Sequence, residues 1–315
     1  GGSQAHRRGQ RPVPLSFHFQ CQGKILENME SLRREGYFNR ENWRLSPRER
    51  RRGRHYSSSF SQTLRAKPNR LDSLLHHLID QKRLPSIYFV FGRRRAELLA
   101  SEASHFDFLN DRERGEITNL YETLLNRYDI THERSAQELK PLVEQGIAYH
   151  HAGMLPTLKE VVEQLFTSRL IKLIFTTETF AIGINMPARS VVFDGLEKFY
   201  GTRFRNLTTR DFYQMAGRAG RRGMDEQGFV YLRVHPQDIP LPEVERILYG
   251  KTEPVRSQFN AAYATILNLY RDFKRELIQI YPHSFHYYQS SGKKRREGFD
   301  LLERKLALLE AMGYL

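Results

Sequence analysis

A single cysteine, Cys21, stands in a chain of 315 residues. It excludes an intrachain disulfide framework and any zinc site built on several cysteines, and makes a reducing compartment the default. No apolar run approaches the roughly 20 residues that a membrane-spanning helix needs. Tryptophan occurs once, but 20 Phe and 16 Tyr supply bulk for a sizeable core, which excludes a wholly disordered chain. Also missing is the Gly-x-x-x-x-Gly-Lys-Ser/Thr loop that cradles phosphates. Gly250-Lys251-Thr252 carries the end of that pattern, but Glu245 stands where its first glycine belongs.

What the chain does have is positive charge. Fifty Lys and Arg face 36 Asp and Glu, for a net charge of +14, and 38 of the 50 are Arg. Forked guanidinium groups suit phosphate and carboxylate, so a polyanion is the first partner to consider and nucleic acid the leading one. A charge that serves solubility alone is the plain alternative. Residues 30–56 concentrate the excess: nine arginines fall between Arg33 and Arg54, with Tyr37, Phe38, Trp43 and Tyr56 among them. Glu30, Glu35, Glu41 and Glu49 dilute that charge, and the stretch reads as a solvated insertion rather than a basic arm with stacking platforms.

The length allows two domains or one large one. Gly1-Gly2-Ser3 reads as a linker, and the final amphipathic run reaches Leu315, so the whole reads as a piece of a longer protein. Pro12 to Gln20 partly alternates, as a strand does. Leu71, Leu74, Leu75 and Leu78 share one face of a helix expected over 71–84. Short β-rich runs then alternate with helices: Ser86 to Phe91 before a helix over 94–104, Gly146 to His150 before a helix opening at Pro156, then Leu170 to Phe175, Ser190 to Phe193 and Phe229 to Val234. This rhythm predicts a parallel α/β sheet with ligand-binding loops at the carboxyl ends of its strands. The charged stretch 104–142 reads as a helical elaboration. Past Pro240 the pattern is helical: one long helix over 255–277, a polar basic linker over 290–296, and a last helix over 299–312 stopped by Gly313.

Three segments carry candidate chemistry. His150-His151-Ala152-Gly153 lies at a strand-to-helix turn, where Gly153 permits close backbone approach to a phosphate; the alternative is a tight turn with two partly buried histidines. Thr177-Glu178-Thr179 follows a buried strand and suits a sugar-phosphate grip, although Thr179 could simply be an N-cap. Gln214 to Gly223 holds Arg218 and Arg221, three apart and on one face if helical. Two converging guanidiniums suit a γ-phosphate, the arginine-finger role. The alternative is an Arg-Gly nucleic-acid patch, or ion pairs with Asp211, Asp225 and Glu226.

Taken in order, these segments resemble the second RecA-like domain of a superfamily-two DExH RNA helicase of the superkiller type. Phe89 to Arg94 resembles motif IV, with Gly92 where the family more often has Ser. His150 to Gly153 resembles the paired-His–Gly turn, 176–188 motif V and 214–223 motif VI. Residues 257–269, 284–289 and 301–315 resemble the segment that follows and the approach to a winged helix. The resemblance covers about 220 residues and omits 30–56 and much of 104–142. Asn185-Met186-Pro187-Ala188 and Arg221-Arg222-Gly223 are similar to the RNA branch rather than the DNA repair branch.

The resemblance implies an α/β fold, a RecA-like parallel sheet flanked by helices. A linker over 1–11 would precede the RecA-like domain over 12–254, which holds an insertion at about 27–64, and an all-helical segment over 255–315 would lead into an incomplete winged helix. It implies that Arg218 and Arg221 reach the γ-phosphate of ATP, that Gln214 senses nucleotide, and that Gly183 and Asn185 line the nucleotide side. Gly92, Arg93, His150, Gly153, Thr177, Glu178 and Thr179 would lie toward single-stranded RNA. ATP and Mg²⁺ would be held mainly by a first RecA-like domain, because this chain has neither a phosphate loop nor an Asp-Glu-x-His magnesium motif; the piece alone is expected not to hydrolyse ATP. The implied whole is an ATP-dependent 3′-to-5′ RNA helicase, inside the cell, cytoplasmic if prokaryotic, away from membranes, with any protein cofactors unspecified. A DNA repair helicase and a non-catalytic adaptor remain the alternatives.

Overall fold

The computed structural model describes residues 13–37, 67–181, 187–200, 203–254 and 262–315. It divides into two compact units, Gly1–Thr252 and Glu253–Leu315.

The first unit is built on a seven-stranded sheet: β1 (Leu15–Cys21), β2 (Lys24–Leu26), β3 (Ser86–Phe89), β4 (Ile147–His150), β5 (Leu173–Thr176), β6 (Ser190–Phe193) and β9 (Gly228–Arg233), ordered β2-β1-β9-β6-β3-β5-β4. Only the β1–β2 hairpin is antiparallel. Strands β3 to β6 and β9 are buried along their whole length, as a parallel sheet covered on both faces requires. A separate two-stranded hairpin pairs β7 (Glu197–Phe199) with β8 (Phe204–Asn206).

The helices follow the apolar spacing. Helix α1 (Leu71–Asp80) buries Leu71, Leu74, Leu75 and Leu78. Helices α2 (Arg93–Glu102), α3 (Asp111–Arg127) and α4 (Arg134–Val143) come next. An Asn110–Glu113 capping box opens α3, and its Ile117, Tyr121, Leu124 and Leu125 join the main core, so this charged stretch is integral to the sheet's packing. Helix α5 (Pro156–Thr167) has Pro at its start; α6 (Thr209–Ala216) and α7 (Leu241–Tyr249) complete the unit. Part of the expected insertion is ordered: Met29–Ser31 and Leu32–Tyr37 are helical, and Leu32 and Gly36 are buried beside Cys21. Residues 38–66 lie outside the described residues.

The second unit corrects two expectations. In place of one helix over 255–277, α8 (Tyr263–Phe273) stops where Lys274 takes φ +49, and a 3₁₀ turn leads into α9 (Leu277–Ile280). The break lets Ile266 of α8 and Leu277 of α9 meet Leu302 and Leu306 in one small core. The basic run is no linker: after α10 (Phe285–Gln289), α11 spans Gly292–Ala311 and takes Lys293 to Arg296 into its first turns. Lys and Arg are good helix formers, so the polar run need not break a helix. No helix of the described residues is long and apolar enough to cross a membrane.

Candidate functional site

The candidate residues fall at two opposite ends of the sheet. At the carboxyl ends of β3, β4 and β5, Gly92 caps α2 in an extended conformation and Arg93 opens that helix, exposed. A Cβ on Gly153 would lie 3.1 Å from Arg93 Cδ and 3.3 Å from Arg93 Nη1, so glycine lets the Arg93 side chain lie across the turn after β4. The His150 carbonyl accepts from Thr176 Oγ1 at 2.8 Å and from the Thr177 N–H at 3.2 Å, which locks this turn to the one after β5. Gly92, Arg93, Gly153 and Thr177 thereby come together.

The two histidines follow the alternative reading, a tight turn with both rings buried, and not the RNA-facing place expected of His150. His150 is buried: Nε2 lies 2.9 Å from Glu163 Oε1 and the ring packs edge-on against Phe180 at 4.9 Å. Burial, then the positive charge of Lys159, pulls its pKa down to about 4. Its ring is therefore not on a surface where RNA could touch it; it supports the turn from beneath. His151 Nδ1 accepts the Gly153 N–H at 3.1 Å, which puts the ring proton on Nε2, 2.8 Å from Glu97 Oε1 on α2.

Glu178 opens a 3₁₀ turn, and its carboxylate is paired with Lys198. Lys198 Nζ also lies 3.4 Å from Asp211 Oδ2, and Tyr200 donates to the same carboxylate at 2.8 Å. The structure thus gives Glu178 a protein partner, and a bare carboxylate would in any case repel a phosphate. The backbone of Thr179 lies in this same turn. Gly183 and Asn185 lie outside the described residues.

Motif VI sits at the other end. Helix α6 starts beside Lys198 and stops at Ala216, with Gln214 exposed on its last turn. Arg218 therefore lies beyond the helix, and the helical-face argument for Arg218 and Arg221 does not hold. Backbone bonds fix the loop instead: the Ala188 N–H donates to the Arg218 carbonyl at 2.9 Å and the Gly220 N–H to the Ala188 carbonyl at 2.7 Å. This bridge lies at the amino ends of β6 and β9, so only part of the candidate chemistry follows the carboxyl-end rule. Gly220 has φ +85, and a Cβ there would meet Val13 Cγ1 at 2.5 Å. Arg221 makes a fork to Asp225, Nε–Oδ2 2.7 Å and Nη2–Oδ1 2.8 Å, so the anticipated ion pair with Asp225 forms. Partial burial holds the Arg218 guanidinium below its usual pKa.

Two features escaped the sequence reading. At the carboxyl ends of β3, β6 and β9, buried Arg233 donates to Asp194 Oδ1 at 2.5 Å, Tyr88 Oη at 2.6 Å and Gln20 Oε1 at 2.8 Å. Arg95 of α2 adds a bond to Asp194 Oδ2 at 2.9 Å. An arginine inside the apolar run of β9 was the available signal. The other is the β7–β8 hairpin, which exposes Phe199 and Phe204, 52% and 61% accessible, with ring centroids 5.3 Å apart. Lys198, Arg203 and Arg205 alternate with these rings along the hairpin, Lys198 being turned in to Glu178 and Asp211.

Residues 122–223, from α3 through the motif VI loop, match the family described as helicase conserved C-terminal domain. That match starts inside the 104–142 stretch, much of which the resemblance carried by the motifs omits. The chain is 40% identical over 212 residues to mRNA transport homolog 4 of Caenorhabditis elegans, covering 67% of this chain and 21% of the relative. It is 38% identical over 242 residues to Superkiller complex protein 2 of Homo sapiens, covering 76% and 19%. It is 37% identical over 206 residues to Exosome RNA helicase MTR4 of Homo sapiens, covering 65% and 20%. The chain spans about a fifth of the length of these relatives.

Proposed function

We propose, for a chain that belongs to the superfamily-two DExH helicases of the superkiller type as their C-terminal RecA-like half, that it is the second motor domain of an ATP-dependent 3′-to-5′ RNA helicase. The reading is supported by the names of the relatives, among them an ATP-dependent RNA helicase and an exosome RNA helicase. The single observation that carries it is the division of the motif residues between the two ends of one sheet. Arg218 and Arg221 lie in the loop at the amino ends, and Gly92, Arg93, Gly153 and Thr177 at the carboxyl ends.

ATP supplies the free energy of the cycle, held between this half and a first RecA-like domain. In this chain Arg218 and Arg221 neutralise charge that builds on the γ-phosphate, with Arg221 exchanging its Asp225 partner for the phosphate. Gln214, exposed on the last turn of α6 before that loop, senses the nucleotide, and Gly183 and Asn185 of motif V would line its side. Mg²⁺ would be held mainly by that first RecA-like domain, which would carry the Asp-Glu-x-His motif. At the other end Arg93 and the backbone around Gly153 and Thr177 grip phosphates of a single RNA strand without reading its bases. His150 and His151 hold that turn in shape. The segment over 255–315 leads into a winged helix.

The test is ATP hydrolysis by the chain joined to its first RecA-like domain, with single-stranded RNA, single-stranded DNA or nothing added. RNA stimulation, lost about 10³-fold or more in Arg218→Ala or Arg221→Ala, is the expected result. Stimulation by DNA alone moves the protein to the repair branch. No hydrolysis at all leaves a non-catalytic adaptor.

A further inference from the structure

The basic run at the start of α11 is not absorbed by the motor reading. We infer that Lys293, Lys294 and Arg296, together with Tyr288, form a second surface for a single strand of nucleic acid, on the C-terminal unit.

Among the described residues of that unit, the other Lys and Arg side chains have partners, Arg304 the Asp300 carbonyl at 3.1 Å. Arg275 is paired with Glu310 and Arg271 with Asp272. Lys274 lies over the Tyr270 ring and Lys305 over the Tyr263 ring. Among the described residues, Lys293, Lys294 and Arg296 form no ion pair, although Glu297 and Asp300 stand four residues on from Lys293 and Arg296, and all three are exposed. Cations in the first turns of a helix also oppose its macrodipole, so the cluster costs the fold stability.

Arg295, the fourth member, shows how the cluster is coupled to aromatic rings. It donates to the Tyr287 carbonyl at 2.9 Å and the Tyr288 carbonyl at 3.2 Å, and its guanidinium lies 5.0 Å from the Tyr287 ring centroid. Those bonds tie α10, which exposes Tyr288 at 76% and Phe285 at 49%, to the first turns of α11, where the three unpaired cations stand. Exposed rings next to unpaired cations are the combination that takes a phosphate backbone and stacks its bases. An acidic protein would be served by the cations without the rings, which is why nucleic acid is the ligand we assign.

This surface rests on the RNA reading only for the choice of RNA over DNA. The experiment is binding of a fluorescein-labelled oligouridylate to the whole 315-residue chain, followed by anisotropy across a salt series. Replacing Lys293, Lys294 and Arg296 together with Gln, which keeps helix propensity, is expected to weaken binding about tenfold and to make the log–log salt slope shallower by about 2. Tyr288→Ala is expected to weaken binding several-fold with the slope unchanged, a loss that no purely electrostatic surface would show. Far-UV circular dichroism checks that both variants keep their helix. Wild-type affinity in both variants overturns the inference. So does displacement by polyglutamate with no effect of Tyr288→Ala, which would mark an acidic protein as the ligand. Arg93→Glu separates the two proposals. If it alone abolishes binding, the strand sits wholly on the RecA-like unit and the second surface fails. If only the Gln variant loses binding, the second surface stands and the carboxyl-end RNA grip fails.

Discussion

Two arginine–aspartate pairs, a fork at Arg221 and a single contact at Arg233, hold opposite ends of the same sheet, and they do so by different means. Arg221 reaches Asp225, four residues on in its own loop. That fork ties the loop to itself, while the loop's place on the sheet comes from backbone bonds to Ala188 and from the left-handed Gly220. Arg233 reaches Asp194, 39 residues away, and Tyr88, 145 residues away. Its guanidinium also meets Gln20 on β1 and the Asn69 carbonyl. The amino end is thus placed by backbone, and the carboxyl end by side chains that converge on one buried charge. A loop placed by backbone leaves its arginine able to exchange partners; a buried network leaves its arginine none. The catalytic proposal needs the first property at Arg221 and the second beneath Arg93, about half a turn of α2 from Arg95, which joins the network.

The largest effect that could break this comparison is Asp194→Ala. It would leave Arg233 buried without its carboxylate and release Arg95, and about 3–5 kcal/mol of unfolding free energy should be lost. Asp225→Ala should lose about 1–2 kcal/mol, because the Arg221 side chain, 17% accessible against 8% for Arg233, can turn further to water. Denaturant unfolding of the two variants measures both, and equal losses would mean that the two pairs do the same job.

A glycine pair sharpens the backbone half. Gly220→Ala places a Cβ at 2.5 Å from Val13 Cγ1 and 3.1 Å from Gly228 Cα, in a left-handed conformation. Gly223 is left-handed too, at φ +75, but open space lies where its Cβ would point. Gly220→Ala should cost about 2–3 kcal/mol and Gly223→Ala about 1 kcal/mol, the difference being the steric share. Thermal unfolding of both variants checks this, and similar shifts would show that contact with β1 does not position the loop.

The comparison also explains what could be read in advance. Leu71, Leu74, Leu75 and Leu78, Pro156 at a helix start and Gly313 at a helix stop are local signals, each complete within a turn or two, and the structure carries them through. The motif VI loop was recognisable from its own residues, although its shape was not, because the bridge to Ala188 lies 30 residues upstream and the helix before it ends early. The network around Arg233 needed strand order, since its members come from β1, β3, β6 and β9. The break at Lys274 was hidden for the opposite reason. The apolar period runs on through it, and only packing of both segments in one core requires the turn. His150 shows the same limit at the site: its position was legible, but the choice between an RNA-facing and a buried ring needed the packing of Phe180 and Glu163.

The smallest expected effect concerns a third arginine, which belongs to neither pair. Arg83, just before β3, lies over the Phe229 ring at 3.2 Å. Beside it His18 of β1 stacks on Tyr231 at 4.9 Å, with Ser16 3.1 Å from its Nε2 and His77 on α1 bonded to the Tyr231 hydroxyl. Burial first, then the charges of Arg83 and His77, bring the His18 pKa from 6.5 down to about 4. The unfolded chain therefore takes up this proton before the folded one, and stability should fall as pH drops from 6.5 toward about 4. His77 is shifted the same way by burial and Arg83, and buried His150 adds to the fall. His18→Phe should make the decline shallower without abolishing it, read above about pH 5 where most carboxylates are still ionised. Arg83→Gln should reduce it less, since burial is the larger cause. If His18→Phe leaves the slope unchanged, His18 stays neutral in both states or gains water in the fold. A cation placed over a ring would then be as isolated from its neighbours as Arg221 is in its own loop.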